Sequence, residues 1–285
     1  MIIKKYAFIS DIHSDIHGLM NIEKLKEFND PDTQFIFVGD YIDGPYQPVM
    51  GGIKVIRYVR KLVDSGKAIA LQGNHDTFMT GTADGNLNAY QTWAINGMTE
   101  TLKSFGITET TERDIRNTLN AKYKSEIEFL KSLPLIWINK NIIAVHAGIE
   151  WGENLTTQSE DVFLWIRNPY FYEDPFEKVN PKYHHNDTNK IIVSGHTPTM
   201  LLKGEFKSPV KSLKSRISSP IYSSLLKADC PIAILQSDKN DIPRYMIDGG
   251  EKAGMKDNLN VLVLNEDGSY VRGGKIKSLV FEQNN

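Results

Sequence analysis

The sequence has little of the features that mark exported or membrane-embedded proteins. Its single cysteine, Cys230, allows no disulfide framework and no thiolate zinc cluster, so a reducing compartment is expected. No apolar run approaches the roughly 18 residues of a membrane-spanning helix, and the opening MIIKKYAFIS has too short an apolar stretch for a signal peptide. The sequence therefore predicts a cytoplasmic protein outside the membrane.

Charge imbalance and internal repeats are also lacking. The chain has 33 basic and 35 acidic residues, so no role on polyanions or on a membrane surface is required. No stripe of basic and aromatic residues indicates specific nucleic-acid binding. The sequence is not similar to itself at any fixed period, which excludes a repeat architecture. We expect one domain over residues 1–285.

Six short apolar runs end at polar residues or glycines, which is typical of buried strands. They are residues 6–9, 35–38, 68–71, 141–145, 191–193 and 261–264. Apolar residues at helical spacing lie between the first three runs, at 19–28 and at 53–62. The alternation of strand and helix predicts an α/β fold with parallel strands joined by right-handed crossovers. Residues 88–133 are predicted to be mainly helical.

Polar residues directly follow five of these strands. They are the stretches Ser10–His13, Gly39–Gly44, Gln72–Asp76, His146–Gly148 and Ser194–Thr197. A lone Asp or His after a strand is usually a turn or structural residue, but five at the same topological position favour a shared site. Carboxylate, imidazole and amide ligands suit Mn, Fe, Zn or a mixed pair, and a carboxylate from a middle strand can bridge two ions.

In this order, Ser-Asp-Ile-His, Gly-Asp-Tyr-Ile-Asp, Gly-Asn-His-Asp, Val-His-Ala-Gly and Ser-Gly-His-Thr resemble the motifs of calcineurin-type metallophosphoesterases. The stretches at 93–105 and 164–167 are similar to segments of the bacterial serine/threonine phosphoprotein phosphatases. The resemblance runs from about residue 6 to 199 and resumes at 247–249. It implies a four-layer α/β sandwich, with two mixed sheets flanked by helices and a dinuclear metal site at the carboxyl ends of the strands.

The resemblance also implies roles for individual residues. Asp11, His13 and Asp40 would hold one ion, and Asp40, Asn74, His146 and His196 the other. His75 would be the general acid that protonates the leaving oxygen, oriented by Asp43. Arg167 and Asn74 would contact the phosphate. An alternative for Arg167 is that it covers the aromatic cluster Tyr170–Tyr172.

The triplet Asp-Ile-His occurs twice, at 11–13 and at 15–17, and only one copy is predicted to bind metal. Asp11 directly follows the first strand, whereas Asp15 lies four residues further on, where a helix begins. We therefore assign the ligands to Asp11 and His13. Asp15 is interpreted as a helix N-cap or an acidic residue of the first turn, and His17 with Gly18 as a spacer or supporting group.

The sequence departs from the family pattern at two places. Gly44 stands where related phosphatases usually have an arginine that grips the phosphate, so one charge-assisted contact is lost. The interval at about 200–245 reads as an insertion with local basic charge, which would form a flap over the crevice and select a larger anionic substrate. The alternative is a solvated surface excursion.

These features favour a phosphatase that hydrolyses phosphomonoesters, in particular a protein serine/threonine phosphatase. A hydroxide held by two divalent ions would be the nucleophile, with Mn as the preferred metal and Fe or Zn as alternatives. The expected partner is a phosphorylated substrate, either a phosphoprotein or a nucleotide. A dinucleoside polyphosphate hydrolase, or a phosphodiesterase, is the rival enzyme, and a non-catalytic metal-binding scaffold is the alternative from another class.

Overall fold

Two five-stranded sheets form the framework of the computed structural model, which describes residues 3–44, 48–177, 181–204, 206–208, 231–254 and 258–283. Its strands are β1 (Lys5–Ile9), β2 (Thr33–Phe37), β3 (Ala68–Ala70), β4 (Ile136–Ile138), β5 (Ile142–Val145), β6 (Ile191–Ser194), β7 (Ala233–Leu235), β8 (Arg244–Met246), β9 (Asn260–Asn265) and β10 (Tyr270–Lys275). All six strands predicted from the sequence are confirmed, as β1, β2, β3, β5, β6 and β9.

Helices surround these sheets. They are α1 (Ile16–Met20), α2 (Lys26–Asn29), α3 (Gly51–Asp64), α4 (Asn74–Ala83), α5 (Leu87–Ala94), α6 (Met98–Ser104), α7 (Glu112–Lys122), α8 (Lys124–Lys131), α9 (Glu160–Trp165), α10 (Asn168–Phe171) and α11 (Ile276–Gln283), with 3₁₀ helices at Asn21–Lys24, Thr199–Leu201 and Glu251–Ala253. The helical prediction for 88–133 is confirmed by α5 to α8. Within the described residues, no helix has both the length and the apolar character needed to cross a membrane.

The first sheet has the strand order β10-β9-β1-β2-β3. The pairs β1–β2 and β2–β3 are parallel, as predicted, while β9 runs antiparallel to β1. Parallel strands end at the same edge of a sheet. The polar residues that follow β1, β2 and β3 are therefore brought side by side.

The second sheet has the strand order β4-β5-β6-β8-β7. Its three central strands, β5, β6 and β8, are parallel, and β4 and β7 are antiparallel edges. Both sheets are thus mixed and flanked by helices, which confirms the predicted α/β sandwich.

An apolar inner core lies between the two sheets. On β1, Tyr6 and Phe8 point into this core, whereas Ala7 and Ile9 pack against the helices on the outer face. This alternation follows from the period of two in a strand. The inner core consists of Tyr6, Phe8, Ile36, Val38, Leu71, Ile142, Ala144, Val193, Ile232, Tyr245, Ile247, Leu262 and Leu264. Burial of one large apolar side chain contributes about 1.5–3 kcal/mol, so this cluster holds the sheets together.

The two predicted helices after β1 and β2 differ in regularity. The second is one helix, α3, whose buried face includes Ile53, Ile56 and Val59. The first is broken into α1, a 3₁₀ turn and α2, because Leu25 has an extended conformation (φ −74°, ψ 141°). The prediction that Asp15 caps the first helix is confirmed, since its Oδ1 accepts a hydrogen bond of 2.9 Å from the Gly18 amide.

The interval at about 200–245 contains two strands of the second sheet, β7 and β8, so its final part belongs to the sandwich. Residue 205 and residues 209–230 lie outside the described residues, and they include the basic residues Lys211, Lys214, Arg216 and Lys227 of this interval. The flap stays a prediction for that stretch.

Candidate metal centre

The six predicted metal ligands meet where strands of both sheets end. Asp11 and His13 follow β1, Asp40 follows β2, Asn74 begins α4 after β3, His146 follows β5, and His196 follows β6. All six are buried, with exposed fractions of 5% or less. Five of them form two groups around a shared carboxylate, Asp11 with His13 and Asp40, and Asp40 with His146 and His196.

Each carboxylate oxygen of Asp40 faces a different group. Its Oδ2 lies 3.6 Å from His13 Nε2, and its Oδ1 lies 3.5 Å from His146 Nε2. In the first group, Asp11 Oδ1 lies 3.8 Å from His13 Nε2. In the second, Asn74 Oδ1 lies 2.9 Å from both His146 Nε2 and His196 Nδ1. Asp40 therefore has the placement of a carboxylate that bridges two ions.

Two of the imidazoles have their tautomers fixed by the backbone. His13 Nδ1 lies 2.8 Å from the carbonyl oxygen of Ile42, and His146 Nδ1 lies 2.8 Å from that of Val38. Because a carbonyl oxygen only accepts hydrogen bonds, each Nδ1 carries a proton and each ring turns Nε2 toward Asp40.

Burial favours the neutral His13 and His196 rings that a cation requires, but it opposes ionisation of the Asp11 carboxylate. Burial lowers the pKa of His13 to about 3 and the pKa of His196 well below its ordinary value. Burial also raises the pKa of Asp11 to about 6. Burial opposes ionisation of Asp40 as well, but the surrounding imidazoles, His146 foremost, bring its pKa below the ordinary value.

These residues fit two divalent cations. Imidazole lone pairs and carboxylate oxygens face one another at 3.5–3.8 Å, which is too long for hydrogen bonds and repulsive without a positive charge between them. In addition, the buried Nε2 of His196 has no hydrogen-bond partner among the described residues. A donor set of nitrogen and oxygen with no sulfur matches Mn, Fe or Zn.

The backbone is strained at four of the predicted ligands and at Asp43. Asp11, His13, Asp40, Asp43 and His196 have φ values between +45° and +70°, in the left-handed region that most side chains avoid. Such strain is retained where the surrounding structure determines a functional geometry. The close approach of two loops adds a further constraint, because a Cβ on Gly195 would lie 2.1 Å from Asp11 Oδ2.

Asp76 holds the Asp40 loop in place, a role that the sequence did not reveal. Its carboxylate accepts hydrogen bonds from the amides of Gly73 (2.8 Å), Asp40 (3.0 Å) and Tyr41 (3.0 Å). The amide of His75 in turn donates to Asp40 Oδ1 at 2.9 Å. The start of α4 and the end of β2 are thereby locked together.

His75 and Asp43 form the pair that the resemblance implied. His75 Nδ1 lies 2.9 Å from Asp43 Oδ2, and the His75 ring meets His13 edge-on at 5.1 Å between centroids. Two residues missed by sequence reasoning complete the support of Asp43. Trp93 Nε1 donates to both carboxylate oxygens at 2.8 Å, and Thr101 Oγ1 donates to Oδ1. Trp93 belongs to the 93–105 stretch, which resemblance singled out without assigning a role.

Arg167 lies at the edge of the second ligand group. Its Nη1 donates a hydrogen bond of 2.9 Å to the hydroxyl of Thr197, the residue after His196. The aromatic cluster has a different cation, since the guanidinium of the buried Arg244 lies 5.3 Å from the ring centroid of Tyr170. The position of Arg167 is therefore compatible with contact to an anion at the ligands.

Two further aromatic rings border the crevice. Phe78 meets the His75 ring at 5.0 Å and the Trp165 ring at 5.6 Å, and Trp165 meets the His196 ring at 5.9 Å. Phe78 is buried, whereas Trp165 keeps 38% of its surface exposed. Trp165 thus offers a flat apolar surface to solvent between the general-acid candidate and a metal-ligand candidate.

Gly44 is packed so closely that no side chain fits there. A Cβ on Gly44 would lie 1.9 Å from the carbonyl oxygen of His13. We expect Gly44→Ala to displace the loops of His13 and Asp43, to destabilise the fold by about 1–3 kcal/mol, and to weaken Mn²⁺ binding. Thermal unfolding and calorimetric Mn²⁺ titration measure these effects.

The matched control is Gly66→Ala. Gly66 has open space around it but a φ of +73°, so this variant carries a backbone penalty without crowding the site. It should lower the melting temperature and leave the Mn²⁺ affinity unchanged. Equal Mn²⁺ affinity in Gly44→Ala and the wild type would contradict the expected crowding.

The chain is similar to a known protein family and to several solved structures. The sequence matches the family profile described as calcineurin-like phosphoesterase over residues 4–200. No curated protein matches the chain. Three solved structures are similar to it: a protein provisionally named a diadenosine tetraphosphatase (15% identity, 95% of this chain and 94% of that one, TM-score 0.47), a metallophosphoesterase from Sphaerobacter thermophilus (14%, 99% and 94%, 0.44) and a protein serine/threonine phosphatase from Saccharomyces cerevisiae (14%, 94% and 75%, 0.45).

The family match covers more than half of the chain and contains every ligand candidate from Asp11 to His196. The family binds a dinuclear metal site and hydrolyses phosphoric esters. The chain is therefore a member of the calcineurin-like phosphoesterases, a family of metal-dependent hydrolases.

Proposed function

We propose that this chain is a dinuclear-metal-dependent phosphatase that hydrolyses phosphomonoesters of proteins phosphorylated on serine or threonine. The observation that carries the proposal is the position of Asp40, whose two oxygens face separate ligand groups at 3.5 and 3.6 Å. The proposal includes a cytoplasmic location, which the single cysteine favours.

In this proposal, Asp11, His13 and Asp40 would hold one cation, and Asp40, Asn74, His146 and His196 the other. When bound, two divalent cations lower the pKa of water and offset charge on a phosphoryl group. Mn²⁺ is the preferred ion, with Fe and Zn as alternatives, because the donors are nitrogen and oxygen only.

His75 would supply the proton that the leaving alkoxide needs, since an alkoxide leaves poorly without one. Asp43 Oδ2 lies 2.9 Å from His75 Nδ1, so in this proposal it would accept the Nδ1 proton and leave Nε2 to serve the leaving group. Trp93 and Thr101 hold Asp43 in that orientation. Arg167 would bind a phosphoryl oxygen, and the Asn74 amide would add a polar contact at the same place.

A second candidate function is hydrolysis of dinucleoside polyphosphates. The observation in its favour is Trp165, which is partly exposed beside His196 and Phe78. An aromatic ring at that position can stack on a nucleobase, an interaction worth about 1–3 kcal/mol per base. A phosphoserine substrate has no ring to stack there.

One panel tests both candidates. Metal-stripped protein, with and without added Mn²⁺, is assayed on a phosphothreonine peptide, p-nitrophenyl phosphate, bis-p-nitrophenyl phosphate and diadenosine tetraphosphate. We expect turnover that requires Mn²⁺, with the monoesters favoured over the diester. Faster turnover of diadenosine tetraphosphate than of the peptide, selectively lowered in Trp165→Ala, would establish the second candidate instead.

The same panel addresses the non-catalytic alternative. Stoichiometric Mn²⁺ binding without hydrolysis of any of the four substrates would contradict both enzymatic proposals and favour a metal-binding scaffold. Ile95→Ala is the control for Trp165→Ala, because Ile95 is an exposed apolar residue (85%) outside the predicted ligands and the aromatic rings of the crevice.

A further inference from the structure

A lysine from the far end of the chain reaches the candidate active site. Lys252 lies in the 3₁₀ helix Glu251–Ala253, and its ammonium donates hydrogen bonds to the main-chain carbonyls of Asp43 (2.6 Å) and Asn96 (2.5 Å). Gly97 leaves room for this group, since a Cβ there would lie 2.7 Å from Lys252 Nζ.

The charge of Lys252 has no carboxylate partner at close range. Within the described part of the chain, its ammonium forms no salt bridge, and the two carbonyl contacts use two of its three N–H groups. Burial lowers its pKa, which the charges of Asp43 and Asp40 partly offset. A half-buried cation with an unused donor is stabilised by an anion.

The ammonium is held by the residue that also orients the general-acid candidate. The main-chain oxygen of Asp43 accepts a hydrogen bond from the Lys252 ammonium, and its side-chain Oδ2 lies 2.9 Å from His75 Nδ1. Lys252 therefore lies on the His75 side of the crevice, whereas Arg167 lies beside His196.

The adjacent position cannot supply a cation. Gly44 directly follows Asp43. A Cβ on Gly44 would lie 1.9 Å from the carbonyl oxygen of His13, so no side chain fits there. Positive charge at this side of the site has to come from elsewhere in the chain. Lys252 supplies it across 209 residues of sequence.

We propose that Lys252 binds a phosphoryl oxygen of the substrate, as a second cation beside Arg167. This inference rests on the proposed phosphatase function, because it assigns the anion to the substrate. A purely structural role is the competing explanation, in which Lys252 only fastens Asp43 to Asn96.

Calorimetric titration of inorganic phosphate into the Mn²⁺-loaded full-length protein separates the two roles. Lys252→Gln retains a hydrogen-bond donor for the carbonyls but removes the charge, and Lys252→Arg retains the charge. We expect Lys252→Gln to raise the phosphate Kd about 10- to 100-fold, and Lys252→Arg to raise it less. Lys54→Met, at an exposed position on α3, should have no effect.

The outcomes are distinct. A phosphate Kd in Lys252→Gln within threefold of the wild type, or no phosphate binding by the wild type, would overturn the inference. A lower melting temperature in Lys252→Gln with unchanged phosphate Kd would show that Lys252 has only a structural role, through its hydrogen bonds to Asp43 and Asn96. If the wild type binds phosphate through Lys252 but hydrolyses none of the panel substrates, the anion site stands and the phosphatase proposal fails. Metal content and circular dichroism verify that each variant is folded and loaded.

Discussion

Asp40→Asn is expected to lower kcat/KM for p-nitrophenyl phosphate by at least about a thousandfold, since a metal centre contributes several kcal/mol to the transition state. An asparagine carries one oxygen and no charge, so it cannot face both His13 and His146 as the carboxylate does. Metal content after dialysis should fall from two ions per chain to one or none. Elemental analysis and steady-state kinetics with added Mn²⁺ measure both effects.

Asp64→Asn is the matched control. Asp64 is an exposed carboxylate at the end of α3, with 67% of its side chain accessible. Its replacement by asparagine removes the same charge at a position outside the predicted ligands. It should retain wild-type metal content and activity. Two bound ions and near wild-type kcat/KM in Asp40→Asn would disprove the bridging role.

His75→Asn is expected to lower kcat by about 10²- to 10⁴-fold, the usual contribution of a general acid. Metal content should stay at the wild-type level, because His75 belongs to neither ligand group. The decisive measurement is the dependence on the leaving group. The loss should be large for an alkyl phosphate, whose alkoxide needs a proton, and smaller for p-nitrophenyl phosphate, whose phenolate leaves without one.

Asp43→Asn provides the comparison for this prediction. It should show the same leaving-group trend with a smaller loss, since Asp43 acts only through the orientation of His75. An equal loss on both substrates in His75→Asn would indicate that His75 supports the metal site and donates no proton.

The sequence predicted the parts of the protein that depend on local pattern. The six strands were identifiable from short apolar runs, and the five polar motifs from their place directly after a strand. Asp11 was separated from Asp15 on the same ground, because only Asp11 immediately follows β1. The ligand grouping itself came from the family resemblance, and the distances around Asp40 agree with it.

The remaining features depend on contacts between distant residues, which no local pattern encodes. The strands β7 and β8 lie in the interval that was interpreted as an insertion, so neither was predicted as part of the sandwich. Lys252 carries no motif, and its contact with Asp43 exists only because the segment after β8 returns to the crevice. Likewise, Trp93 and Thr101 reach Asp43 across 50 and 58 residues of sequence.

The division of the ligands between two sheets has a consequence for the choice of ion. Four ligands belong to the first sheet and two to the second, so the spacing between the halves of the centre is set by the side chains packed between the sheets. Sheets that pack face to face lie about 10 Å apart, at a distance that depends on the bulk of those side chains. Phe8 and Leu262 belong to this inner core, so we expect substitutions there to change the spacing between the two halves of the centre although neither residue is a predicted ligand.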